Sequence, residues 1–183
     1  MEYDNGDGCD DNDDLDLRVG LLLPTGDMHL IHAPDASGSL NAFPYVYHFG
    51  DVRSASEDSP SSEKIQVNTA IAQKLGGTVA LVFSVYSAVG NGAVSIASLK
   101  PKMSMRYGEQ VVECVFNSAS SPQAKRHDVY TYVIGTAIIT PDSVVLCHSG
   151  ATSEPSSEAT PRLVWQKNGA VKITVDGEPF FKD

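Results

Sequence analysis

The densest set of metal-competent side chains in this chain is Cys9–Asp16, CDDNDDLD, which runs straight into an apolar stretch. Calcium takes six to eight oxygen ligands, largely carboxylates and carbonyls, at about 2.3–2.6 Å. Asp and Asn on a loop that leads into a rigid strand supply such ligands at little folding cost. The pattern is not an EF-hand, because no Asp here is followed by Gly at loop position six together with Glu at position twelve. A second acidic stretch, Gly50–Glu63 (GDVRSASEDSPSSE), can complete a cation site from the far side of a sheet end. The competing reading of the first stretch is a solvated acidic tail that adds only solubility.

Other chemistry finds less support. Of the five histidines, His29 and His32 flank Leu30-Ile31, so on a strand they point to opposite faces and cannot share a metal. No Ser sits in a GxSxG elbow, and Cys114 has no placed His or Asp partner. Gly90-Asn91-Gly92 lacks the spacing and the following helix of a phosphate loop. Cys9, Cys114 and Cys147 form neither a CxxC pair nor an even disulfide framework. The expectation is a protein that is not an enzyme.

The elements that must position the acids read as strands. Arg18–Leu23 and Met28–Ala33 flank Pro24-Thr25-Gly26-Asp27, which is a hairpin signal. Phe43–Phe49 has alternating aromatics, and Lys64–Ala72 starts with strand alternation and ends in a short helical turn. Thr78–Tyr86 (TVALVFSVY) is β-branched and nearly continuous, as suits a central strand buried on both faces. Ala93–Leu99, Lys102–Tyr107, Gln110–Phe116, Val129–Ile139 and Val144–Cys147 continue the pattern. Arg162–Gln166 and Val171–Val175 flank Asn168-Gly169 and predict a last hairpin, with Val164 and Trp165 packed on the main body. No helical periodicity extends over ten residues. The fold class expected is all-β, an antiparallel β-sandwich with little helix.

With 183 residues, the chain has the length of one core. Its net charge is −10, and eight acids precede the first basic residue, Arg18, which leaves −2 for everything else. No basic stripe is present, so nucleic acid is disfavoured as a partner. No apolar run reaches the ~18–20 residues of a membrane span. The acidic first residues lack the basic-then-apolar order of a secretory signal, so a cytoplasmic location is expected. The organisation expected is an acidic mobile segment (1–12), a sandwich (13–148), a Ser/Pro linker (149–161) and a C-terminal hairpin packing on the sandwich (162–183).

Asp14-Leu15-Asp16 running into an apolar strand (DLDLRVGLLL) resembles the DLD signature of the TerD family, the tellurium-resistance and stress-response proteins. The resemblance continues through HFGDVRSASEDSPSSEKIQV, where a Gly-Asp loop rich in acids leads to an Ile-x-Val strand, and covers roughly residues 13–140. It implies an antiparallel β-sandwich that binds calcium at one edge, with Asp14, Asp16, Asp51, Asp58 and Glu63 matching the family's acids. Ser61 and Ser62 replace consecutive Asp residues, Ala55, Glu57 and Ser59 replace loop glycines, and Ile96 replaces an Asn. The family's strand before the DLD segment is missing, and the strands after Ser149 can take its place. Fewer carboxylates imply weaker binding, or one ion rather than two. The function implied is that of an ion-dependent interaction module with a protein partner. The alternative is a degenerate adaptor that has lost the metal and works through protein contacts.

Overall fold

The computed structural model describes residues 15–33, 35–50, 63–87, 95–99, 101–107, 110–117, 119 and 121–175. Twelve strands are present among them: β1 (Leu15–Leu22), β2 (Met28–His32), β3 (Gly38–Ser39), β4 (Val46–His48), β5 (Ile65–Val67), β6 (Val79–Ser87), β7 (Lys102–Tyr107), β8 (Gln110–Val115), β9 (Thr131–Ile139), β10 (Val144–His148), β11 (Arg162–Trp165) and β12 (Val171–Thr174). Every pairing between them is antiparallel. Helix is confined to single turns at Ile71–Lys74 (α1) and Ile96–Leu99 (α2), with a 3-10 turn at Pro122–Lys125. The fold is all-β.

The organising sheet has the order β10-β9-β6-β1-β2. β6 lies at its centre because eight of its nine residues are buried and its apolar run leaves neither face polar. The hairpin β1–β2 closes on Pro24–Asp27, where Asp27 O accepts from Leu23 N–H at 2.9 Å. The chain can leave Leu23 so tightly because Gly26 takes φ +95, a conformation favouring glycine.

Strand alternation sends Val19, Leu21, Leu81, Phe83, Ala137 and Ile139 to one face, where they bury with Ile31, Val46, Ile71 and Ala72. The small sheets β3-β4-β5 and β7-β8 form the second layer there, contributing Ile65, Val67, Met103 and Met105. The opposite face, built from Leu22, Ala80, Val82 and Val133, is covered by Leu163, Trp165, Val171 and Ile173. The layers therefore pack as a sandwich, with a third layer laid over part of its back.

Three local expectations need correcting. Ala93–Leu99 does not supply a strand among its described residues: Ile96–Leu99 is the helical turn α2, with Ile96 fully buried. The spacing Val94, Ile96 that suggests alternation also precedes an i, i+3 pair, Ile96 and Leu99, and so short an apolar run does not discriminate the two periods. Val164 faces solvent at 54% exposure between Leu163 at 1% and half-buried Trp165; successive strand residues cannot share a face. Finally, β11 and β12, read as strands that can take the place of one before the DLD segment, pair with each other and join no other sheet among the described residues.

The first part of the stretch 149–161, residues 149–153, is held along β9 in the structure. Val133 N–H donates to Ala151 O, Ser153 N–H donates to Thr131 O, and Ser153, Ala159 and Thr160 are buried. Its Ser and Thr side chains make it look like a solvated linker, yet short polar side chains are well suited to bury beside main-chain groups they can bond.

Candidate functional site

β2 ends at His32, which pairs with Arg18, so β1 runs past its neighbour. The main-chain groups of Leu17 fall on that unpaired length and need other partners, because a buried peptide group without a hydrogen bond is costly. Two side chains from distant sequence provide them. Leu17 N–H donates to Glu63 Oε2 at 2.8 Å, across 46 positions of sequence. Leu17 O lies 3.2 Å from His48 Nε2.

His48 is fixed from both sides of its ring. Gly50 N–H donates to His48 Nδ1 at 3.1 Å, which makes Nδ1 the acceptor and puts the proton on Nε2. That proton serves Leu17 O and also faces Glu63 Oε2 at 3.3 Å. The pair is almost dry, with side-chain exposures of 1% for His48 and 7% for Glu63. β4 and β5 bring them together, since His48 pairs with Ile65 and Phe49 N–H donates to Lys64 O.

Asp16, Arg18, His32, Ala33, Leu17, His48 and Glu63 line one small recess at this strand end, with room for about one water-sized occupant. Arg18 lies on the face of β1 that carries Asp16, and its guanidinium stacks 4.1 Å from the centre of the Tyr86 ring. Tyr86 stands opposite Asp16 in the β1–β6 register. Its hydroxyl donates to Glu158 Oε1 at 2.7 Å. Burial of the ring, then the bond to Glu158, pushes the Tyr86 pKa up to about 12. Burial lowers the Arg18 pKa against the opposing pull of Asp16, Tyr86 and Glu158.

Of the five acids singled out in the sequence, Asp16 and Glu63 meet at this recess. Asp14, Asp51 and Asp58 lie outside the described residues. Among the described residues, no three His, Cys, Asp or Glu side chains gather closely enough to hold a metal ion. His29 and His32 do take opposite faces, as alternation requires: His29 pairs with Leu21, sits edge-on to Phe43 at 4.9 Å and has its pKa lowered by burial, whereas His32 pairs with Arg18.

His48, Arg18, Tyr86 and Glu158 carry no site role in the sequence reading. For His48 a signal existed, since Phe43, Tyr45, Tyr47 and Phe49 alternate with Pro44, Val46 and His48. Phe43 and Phe49 are about half exposed and Val46 and His48 are buried, although Tyr45 packs against the core. For Tyr86 and Glu158, 72 positions apart, no local pattern could have paired them. No helix among the described residues is long and apolar enough to cross a membrane.

Compared with protein-family models, with curated proteins and with solved structures, the chain gives no match.

Proposed function

We propose that this chain is a TerD-like calcium-binding protein of the stress-response kind. On this reading it is cytoplasmic and non-enzymatic, and it acts as an interaction module whose ordering depends on the ion. One observation carries the reading: Asp16, at the end of the DLD segment, and Glu63, at the end of the acidic loop, line the same recess. The two acidic stretches that precede them in sequence therefore lead to one place on the fold. Calcium's six to eight oxygens exceed what these two carboxylates offer. Asp14, Asp51 and Asp58 are the candidates for the rest, and a set this small fits one ion better than two.

A second reading has its own support. Glu63 Oε2 already accepts from Leu17 N–H and faces His48, so that carboxylate has a structural task without any ion. A degenerate adaptor that acts through protein contacts would keep this arrangement.

Calcium titration separates the two. An ion that binds the folded state alone adds about 2.7 kcal/mol of stability at 100 times its dissociation constant. For a chain of this length each kcal/mol moves the melting midpoint by roughly 2–4 °C, so the expected shift is about 5–11 °C. Magnesium should do less, because it demands octahedral geometry and gives up water reluctantly. Asp16→Asn should remove most of the shift, whereas Glu2→Gln should leave it intact. No shift at millimolar calcium selects the adaptor.

A further inference from the structure

The five-stranded sheet ends on β2 at one side and on β10 at the other, and the two edges differ. No residue of β2 is exposed. On β10, Val145, Cys147 and His148 are exposed, Val145 at 51%. The hydrogen bonds that flank β10 fix which of its main-chain groups face outward. Thr140 N–H donates to Ser143 O at 2.9 Å, and Ser149 N–H donates to Ile134 O at 3.0 Å, so Ser143 and Ser149 both belong to pairs that bond β9. Bonded and non-bonded pairs alternate along an antiparallel ladder, and the register between these two points is continuous. Val145 and Cys147 therefore bond β9, whereas the N–H and C=O groups of Val144, Leu146 and His148 point away from it. Among the described residues, no strand takes up those groups. Farther along, Ser121 Oγ donates to Gly150 O at 2.6 Å, which closes the open length at that end.

We propose that β10 is a self-association edge, on which two copies of this chain pair β10 to β10, antiparallel about Leu146, and join their main sheets into one. The occupant is a second copy for three reasons. Identical charges meet across a two-fold contact, so an edge that pairs with itself must be uncharged. Val144–His148 has no Lys, Arg, Asp or Glu and no Pro, whereas β7, β8, β11 and β12 carry Lys102 and Arg106, Glu113, Arg162 and Lys172, the kind of side chain that keeps edges apart. The outward residues are also symmetric about Leu146. Pairing Leu146 with its own copy and Val144 with His148 gives every outward group of the strand a partner, and a two-fold contact of this sort closes at the dimer. Lastly, Val145 and Cys147 leave one face of the strand, both exposed, and become cross-strand neighbours in that register. Five paired residues a side make a small contact, below about 1,200 Å² in total, so the dimer forms reversibly with concentration. Each copy has a net charge of −10, so added salt should strengthen the dimer by screening the repulsion between copies.

Sedimentation velocity of the full chain under reducing conditions, over a series of concentrations and at low and high salt, tests this. The expected result is a monomer–dimer equilibrium that moves toward dimer with concentration and with salt. His148→Pro removes an outward N–H and leaves the β9 ladder whole; it deletes one hydrogen bond at each end of the contact and should raise the dissociation constant about tenfold or more. His148→Ala keeps that N–H and should stay within about threefold of wild type, since the exposed imidazole takes no part in the pairing. Val145→Lys puts a charge on the exposed face of the edge, should also weaken the dimer about tenfold, and stands in for the proline variant if circular dichroism shows that one unfolded. Val145→Cys sets a thiol opposite Cys147 of the second copy in a non-hydrogen-bonded pair, where a Cα separation of about 4.5 Å lets a disulfide close. On oxidation this variant should run as a covalent dimer on a non-reducing gel, and adding Cys147→Ser should abolish that band. A chain that stays monomeric at every concentration overturns the proposal. So does a dimer that survives both His148→Pro and Val145→Lys, a dimer that salt dissolves, or a series of ever larger species in place of a closed pair. His148→Ala losses as large as those of His148→Pro overturn main-chain pairing, and a covalent dimer that persists without Cys147 overturns the register.

Discussion

Between Val19 and Leu22, β1 has β2 along one edge and β6 along the other, and Val19, Leu21 and Leu22 are completely buried. Between Leu15 and Leu17 the β6 ladder continues but β2 has ended, and Glu63 and His48 bond to the main chain in its place. One half of the strand is therefore held by packing and the ladder, the other by charged and polar side chains from 31 and 46 positions away. The difference teaches where chemistry can settle in a fold made mostly of apolar alternation. A strand that outruns its neighbour exposes peptide groups, and the side chains that satisfy them collect polar atoms at one spot.

Substitutions in the two halves should separate these forces. Leu21→Ala leaves a cavity between the two main layers and is expected to cost about 3–5 kcal/mol by denaturant titration. Glu63→Ala strips the acceptor from a part-buried Leu17 N–H and the partner from His48, at about 1–3 kcal/mol. A Glu63→Ala loss as large as that of Leu21→Ala would erase the contrast between the halves. No loss at all would mean that Glu63 is spare and open to another use.

The back of the sheet allows a narrower version of the same comparison, with an effect between those two. Leu163 and Val164 are neighbours on β11, at 1% and 54% exposure. Leu163→Ala should cost about 2–4 kcal/mol, because it uncovers Leu22, Ala80 and Val82. Val164→Ala should stay within about 0.5 kcal/mol of wild type. Similar losses at both positions would contradict the assigned face of β11.

How far the sequence foretells this picture depends on the distance over which each signal acts. The β1–β2 hairpin, the central β6 and the β11–β12 turn follow from residues next to one another, through turn chemistry and alternation. Which face of β4 turns inward does not, because the aromatic Phe49 beside it is half exposed while the polar His48 is buried with Val46. His48 is drawn in by Leu17 O and Gly50 N–H, partners that exist only once the sheets have assembled. The candidate site divides along the same line. Asp16 and Glu63 are conspicuous by type and by flanking pattern, whereas Arg18 looks like an ordinary strand-edge charge until Tyr86 and Glu158 are brought beside it. The stretch 149–161 misleads for a related reason, since its composition is that of a linker while residues 149–153 bond along β9.

The smallest expected effect tests that long-range anchor directly. In the unfolded chain a tyrosine ionises near pH 10, whereas in the fold Tyr86 holds its proton until about 12, first because of burial and then because its hydroxyl donates to Glu158. Between these values the unfolded state releases a proton that the native state retains, so rising pH favours unfolding. The contribution of Tyr86 is therefore fully present below pH 10 and lost as pH climbs toward 12. The ring is only half-buried and solvent screens it, so the loss should be no more than about 1 kcal/mol. Tyr86→Phe keeps the ring under Arg18 but removes the titrating group. Its stability should lie below wild type at pH 9, and the gap should narrow by pH 11.5. Absorbance titration of the phenolates gives an independent check, because among seven tyrosines the variant should lack one that ionises late. A gap that stays constant with pH, together with an unchanged late phase, would mean that Tyr86 is not tied to Glu158.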